Sequence, residues 1–112
     1  MMRPLAADDA WLLPDWPEAP ANVRVLSTRR GGGVSAGPYA SFNLAQHVGD
    51  APAVVAANRA LLRSRAGLPA EPLWLEQVHG VEVVRNDGRS LSAPPRADAA
   101  VAFEPGRVCV VM

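Results

Sequence analysis

The sequence predicts an α+β fold, with short strands separated by turns and one main helix beside them. Three observations carry this reading. Short β-branched and apolar runs recur between Gly, Pro and Asn-Asp-Gly breaks. A single stretch, 52–66, combines helical spacing of apolar residues with a proline at its start and a glycine after its end. Apolar residues make up 49% of the 112 positions, enough for the core of one small domain.

Taken in order, residues 1–21 form a Pro- and Ala-rich lead-in, in which Trp11, Leu12 and Leu13 read as a short edge strand. The run 23–28 is weakly alternating and β-branched, which predicts a strand. Residues 29–38 hold Gly31, Gly32, Gly33 and Gly37 and must form a loop. The helix follows: Pro52 suits a first turn, Asp50 is placed to cap it, and Gly67 stops it ahead of Pro69. Val54, Val55, Leu61 and Leu62 share one face at 100° per residue, with Asn58 in its middle. An amide there must find partners or cost roughly 1–3 kcal/mol, so Asn58 is expected to tie down the neighbouring segment 41–50. Arg59, at the edge of the stripe, can reach the same loop. Strands are expected again at 73–79 and 81–84, with Gly80 marking a bulge or a close backbone approach. A continuous pleat would put Leu75, Gln77, His79, Val81 and Val83 on one face. Asn86-Asp87-Gly88 is a turn, 97–103 a small-residue strand, Pro105-Gly106 another turn and 107–112 the last strand. All the strands are expected in one sheet, with the helix against it.

Eleven Lys+Arg balance eleven Asp+Glu, and every one of those cations is Arg. Zero formal charge gives no support to a nucleic-acid partner. No apolar run approaches the ~20 residues needed to cross a bilayer, so no membrane association is expected. Residues 1–16 lack a continuous apolar segment of the signal-peptide kind, and a soluble cytoplasmic protein is the expectation. The one cysteine, Cys109, excludes an internal disulfide. Alternating with apolar neighbours, it reads as a buried small hydrophobe rather than a nucleophile. The chain stops inside the apolar run 107–112, and an unprotected apolar strand is a poor end for a domain. The expectation is therefore an N-terminal piece of a longer protein.

Among residues that could do chemistry, Arg29 and Arg30 beside the glycine run could present guanidinium forks and N–H groups to an anion. The loop lacks the Gly-Lys-Ser/Thr ending and the following helix of a P-loop, so nucleotide binding of that type is excluded. The two histidines, His47 and His79, are too few for a metal centre, since a catalytic zinc takes about three protein ligands. Asp50, Asp87 and Asp98 are read as cap and turn residues.

At Trp74-Leu75-Glu76-Gln77-Val78-His79-Gly80 the sequence resembles the YfiH-like family, also called the laccase-domain or multicopper polyphenol oxidase family and mostly described as purine nucleoside phosphorylases. Three further blocks agree in order and spacing. They are Ser27-Thr28-Arg29 with the glycine loop and Gly37-Pro38-Tyr39; Ser41-Phe42-Asn43-Leu44 with His47-Val48-Gly49-Asp50 and Asn58-Arg59; and Arg96-Ala97-Asp98-Ala99 with Pro105-Gly106 and the final strand. The glycine loop is one residue longer than usual. Ala51 stands where a polar residue usually precedes Pro52, leaving the cap to Asp50.

The resemblance implies a layered α/β/β/α sandwich, of which 22–112 is the N-terminal part of a single catalytic domain truncated at its C-terminus. It implies a metal site, usually zinc with copper as the alternative, of two His and one Cys. His79 is the first ligand and the catalytic metal residue. The Cys belongs to a Thr-Ala-Asp-Cys block expected directly after Met112, and the second His lies further on. With one ligand of three, the chain as it stands is expected to be inactive. The intact protein is expected to convert adenosine, inosine or methylthioadenosine and phosphate to free base and ribose 1-phosphate, with adenosine deamination as a further possibility. Arg29 and Arg59 are candidates for phosphate or loop positioning, and Asn43 and His47 for ribose or base contact. Loop-building is the alternative role for each of these four. Asn58 and Asp50 are structural. Competing readings are a copper polyphenol oxidase, a factor editing cell-wall peptidoglycan, and a non-catalytic module pairing through its last strand.

Overall fold

The computed structural model describes residues 5, 6 and 8–112. Of the lead-in read at 1–21, residues 1–4 and 7 lie outside the described residues. The elements are β1 (Trp11–Leu12), β2 (Ser27–Thr28), a 3-10 turn at Gly37–Tyr39, α1 (Pro52–Ala66), β3 (Val83–Arg85) and β4 (Ala99–Val101). The mixture is α+β, as the sequence implies. The chain divides into two compact units, Met1–Leu68 and Pro69–Met112.

In the first unit β1 and β2 pair antiparallel, Trp11 opposite Thr28 and Leu12 opposite Ser27. The strand expected over 23–28 shrinks to its last two residues for a local reason. The Val23 N–H closes a turn onto the Pro20 carbonyl, and the Arg24 guanidinium folds back onto the carbonyls of Ala21 and Val23. α1 runs as expected and ends at Gly67, whose φ of 68° is the left-handed closure that glycine adopts without cost. Its cap differs from expectation. Ala51 is the N-cap residue and supplies no side-chain bond. The Asp50 carboxylate accepts from the Ser35 hydroxyl, the Asn43 amide and the Ala51 N–H, and so is drawn into the preceding loop. The buried face of α1 is Val55, Asn58, Leu62 and Ala66, and Trp11, Phe42 and Leu44 are the other large buried apolar side chains of this unit.

In the second unit β3 and β4 pair parallel, with Val83 opposite Ala99 and Arg85 opposite Val101. Single bridges join Leu73 to Cys109 and Glu76 to Arg96, both parallel. The strands expected at 73–79, 81–84, 97–103 and 107–112 are thus shorter than their apolar runs. The single sheet expected from the sequence is replaced by two separate two-stranded sheets. Cys109 is exposed, not buried, because its pairing with Leu73 is one isolated bridge and not a place inside a sheet. Trp74, Leu75 and Ala97 are buried, whereas Val81 (95% exposed) and Phe103 (75%) stand open on the flanks of β3 and β4.

Candidate functional site

His79 sits in a bulge of the second unit. Between the Glu76–Arg96 bridge and the Val83–Ala99 pair one strand advances seven residues and the other only three. The surplus residues must leave the ladder, and their N–H groups lose their strand partners. The Asp98 carboxylate collects three of them. Its Oδ1 accepts from Val78 N (2.9 Å) and His79 N (2.8 Å), and its Oδ2 accepts from Gly80 N (2.7 Å). His79 adopts φ 57°, the one described non-glycine residue with positive φ. That conformation breaks the continuous pleat expected through 75–83, and the side chain of His79 is exposed. Gly80 is where a close approach occurs, since an added Cβ would stand 3.3 Å from Asp98 Oδ2. Burial works to raise the Asp98 carboxyl. The N–H groups of Gly80, Val78 and His79, with the charge of His79, outweigh it and hold the group below its ordinary value.

Two residues before His79, the Gln77 carboxamide grips the backbone of Met112 at both ends. Its Oε1 accepts from Met112 N (2.7 Å) and its Nε2 donates to Met112 O (3.0 Å). A side chain here takes the place that a neighbouring strand's backbone would take.

In the first unit Asn58 organises the loops. Its Oδ1 accepts from Val34 N, and its Nδ2 donates to Ser35 Oγ and to the Asn43 carbonyl, each at 2.8 Å. The Ser35 hydroxyl in turn donates to Asp50 Oδ2 at 2.8 Å. The Asp50 carboxyl is held low, chiefly by that hydroxyl and against the opposing effect of burial, with Asn43 and the Ala51 N–H adding to it. Gly33 leaves room for the arrangement: a Cβ there would collide with Asn58 Oδ1 and Ser41 O, and would lie 2.6 Å from Phe42 Cδ1. Two N–H groups of the glycine run are used inside the loop, those of Gly32 and Gly33 donating to Ser41 Oγ, and Ser35 N–H donates to Ser41 O. The Arg30 guanidinium is spent on the carbonyls of Ala40 and Pro38.

The four further candidates all lie in this unit. Asn43 builds its own loop, bonding Ala45 through both its oxygen and its nitrogen. Arg59 places Nε and Nη2 on the Leu44 carbonyl at 2.9 and 2.8 Å. Arg29 and His47 are exposed. An open pocket of about 350 Å³ is lined by Arg30, Pro38, Tyr39, Phe42, Asn43 and Val48. Sequence reasoning missed the partners Asp98, Gln77, Ser35 and Ser41. The one signal available for Asp98 was an acidic residue opening a strand at the level where Gly80 interrupts another.

Among the described residues no group of three His, Cys, Asp or Glu could hold a metal ion. In the second unit the imidazole donor is that of His79, exposed on a clamped turn. No helix among the described residues is long and apolar enough to cross a membrane.

The model of one protein family, described as multi-copper polyphenol oxidoreductase laccase, matches residues 24–112. A purine nucleoside phosphorylase of Pseudomonas aeruginosa is 50% identical over 93% of this chain and 40% of its own length. The purine nucleoside phosphorylase YfiH of Escherichia coli is 46% identical over 90% of this chain and 41% of its own. A crystal structure of a Neisseria meningitidis protein of family DUF152 superposes with a TM-score of 0.82 at 44% identity, covering 93% of this chain and 41% of that one. The chain therefore spans about two-fifths of the length of the curated relatives it matches.

Proposed function

Because the chain belongs to the multi-copper polyphenol oxidoreductase laccase family, we propose that it carries the first metal ligand, His79, of a purine nucleoside phosphorylase. Relatives with that name, 50% and 46% identical over nine-tenths of the chain, are the observation that carries the reading. In this proposal phosphate oxygen bonds to the ribose C1′ carbon as the bond from C1′ to the purine nitrogen breaks. The departing base takes a proton, and ribose 1-phosphate remains.

The metal proposed is zinc. When bound it supplies Lewis-acid polarisation at an open coordination position. An exposed imidazole on a fixed turn suits one corner of that site, and the remaining donors are assigned to the part of the family's length that this chain does not span. Gln77 supports the assignment. Two residues before His79, it fixes the backbone of Met112, and the Thr-Ala-Asp-Cys block is proposed to follow Met112.

The other candidates divide by what they already hold. Arg29, exposed at the end of β2, is proposed to attract phosphate. Arg59 is proposed to position the loop, its fork being closed on Leu44 O. Asn43 shapes the open pocket beside Tyr39 and Phe42, and His47 is proposed for nucleoside contact. Phenol oxidation, carried by the family's description, is the second reading.

The test is product analysis in the full-length protein. Adenosine with phosphate is expected to yield adenine and ribose 1-phosphate, and His79→Ala is expected to lose zinc and phosphorolysis together. Oxygen uptake with a phenol, in the absence of phosphorolysis, supports the copper oxidase instead. Phosphorolysis surviving in His79→Ala overturns the ligand assignment.

A further inference from the structure

We propose that Asp98 is a positioning residue for His79, setting the direction of the imidazole by holding the backbone on both sides of it. The inference rests on the reading of His79 as a metal ligand and deepens it.

Three observations converge. First, the bulge has no ladder of its own. The pairing resumes on either side of 77–82, where six residues face only two, 97 and 98, so nothing regular fixes the backbone of residue 79. Second, His79 holds a left-handed φ of 57°, which an L-residue adopts only when its surroundings impose it. Third, the imposing group is a single carboxylate. Asp98 takes N–H groups from three consecutive residues, 78, 79 and 80, at 2.7–2.9 Å. Asp98 is itself anchored, since its own N–H donates to the Glu82 carbonyl and that of Ala97 donates to Glu76 O. The clamp is thus framed by the strands that flank the bulge.

The chemistry follows from the geometry. A metal ligand is useful when its donor atom is held before the metal arrives, because loose ligands lose entropy on binding. Partners that orient a ligand commonly act through the other nitrogen of the imidazole. Here the orienting group acts through the main chain and leaves both ring nitrogens unused by the clamp. A carboxylate is required because it accepts on two oxygens with charge-assisted bonds, whereas a carboxamide offers one oxygen and a repelling N–H₂.

The experiment uses the full-length protein and zinc alone, titrated against a chromophoric chelator, with cobalt substitution as a spectroscopic readout. Asp98→Asn is expected to weaken zinc at least ~10-fold, the range typical of orienting partners, and to shift the cobalt ligand-field bands. Asp87→Asn alters another turn carboxylate of the same unit, bonded to Arg89. It is expected to leave both readouts unchanged. Wild-type zinc affinity with unchanged cobalt bands in Asp98→Asn overturns the proposal. If that variant does not fold, amide hydrogen exchange in the unsubstituted protein decides. Slow exchange at residues 78, 79 and 80 supports the clamp, and exchange at the rate of open coil overturns it. His79→Ala run in parallel separates the two ideas: zinc retained there defeats the ligand reading, and zinc lost there but kept in Asp98→Asn defeats only the role of Asp98.

Discussion

Asn58 is wholly buried, yet its oxygen and both its amide hydrogens are paired. Removing the carboxamide, which is itself fully buried, takes one partner each from Val34 N–H, Ser35 Oγ and Asn43 O. Asn58→Leu is expected to lower unfolding stability by roughly 2–4 kcal/mol in a denaturant titration, although leucine is the better helix former. The same network contains a titrating member. The Asp50 carboxyl lies below its ordinary value near 3.8 because the folded chain bonds its charged form. Its contribution is therefore complete above that ordinary value and is lost as pH falls through the lower value of the folded state. Melting temperature followed from pH 6 down to pH 2.5 is expected to drop less steeply in Asp50→Asn than in the unsubstituted chain. The period of the helix is enough to place Asn58 on the buried face, and one of its partners, Asn43 O, lies in the expected segment 41–50; the other two, Val34 N–H and Ser35 Oγ, come from the glycine loop and were not legible. Asp98 was not legible in this way. Its carboxylate meets N–H groups eighteen to twenty positions earlier in the chain, and a local reading assigns a lone aspartate to its nearest turn.

α1 shows how far local signals reach at the scale of an element. Proline at one end, glycine at the other and the apolar stripe between them fix its limits at Pro52 and Ala66. The cap was misread because Asp50 had competing partners across the loop, Ser35 and Asn43, which sequence order does not rank. The vacancy is testable. Ala51 caps with no side-chain bond, so Ala51→Ser is expected to stabilise the protein by about 0.5–1 kcal/mol, read as a rise in the unfolding midpoint at unchanged slope. The strands were harder. Apolar runs at 73–79 and 107–112 carry the composition of strands, but the length of a strand depends on a partner that stays in register. In the second unit the register is broken by the bulge, and the 76–83 segment cannot pair along its length. Composition reported the tendency to extend, and the missing pairing limited it.

For the whole molecule, the order of blocks along the chain identified the family where no single residue could. The family model spans residues 24–112, and the match in fold is close at a TM-score of 0.82. The division into two units was not legible, because the boundary at Leu68 and Pro69 coincides with an ordinary helix stop. Nor was the exposure of Cys109, whose apolar neighbours suggest a buried place although Val108 and Val110 are only half-buried and Val111 is exposed. That misreading has a practical sequel. Within these 112 residues Cys109 carries the one sulfhydryl, and it is exposed: a maleimide fluorophore or nitroxide applied to this segment under native conditions is expected to attach beside the backbone bridge to Leu73 and to report on the packing of the Pro69–Met112 unit without any engineered substitution.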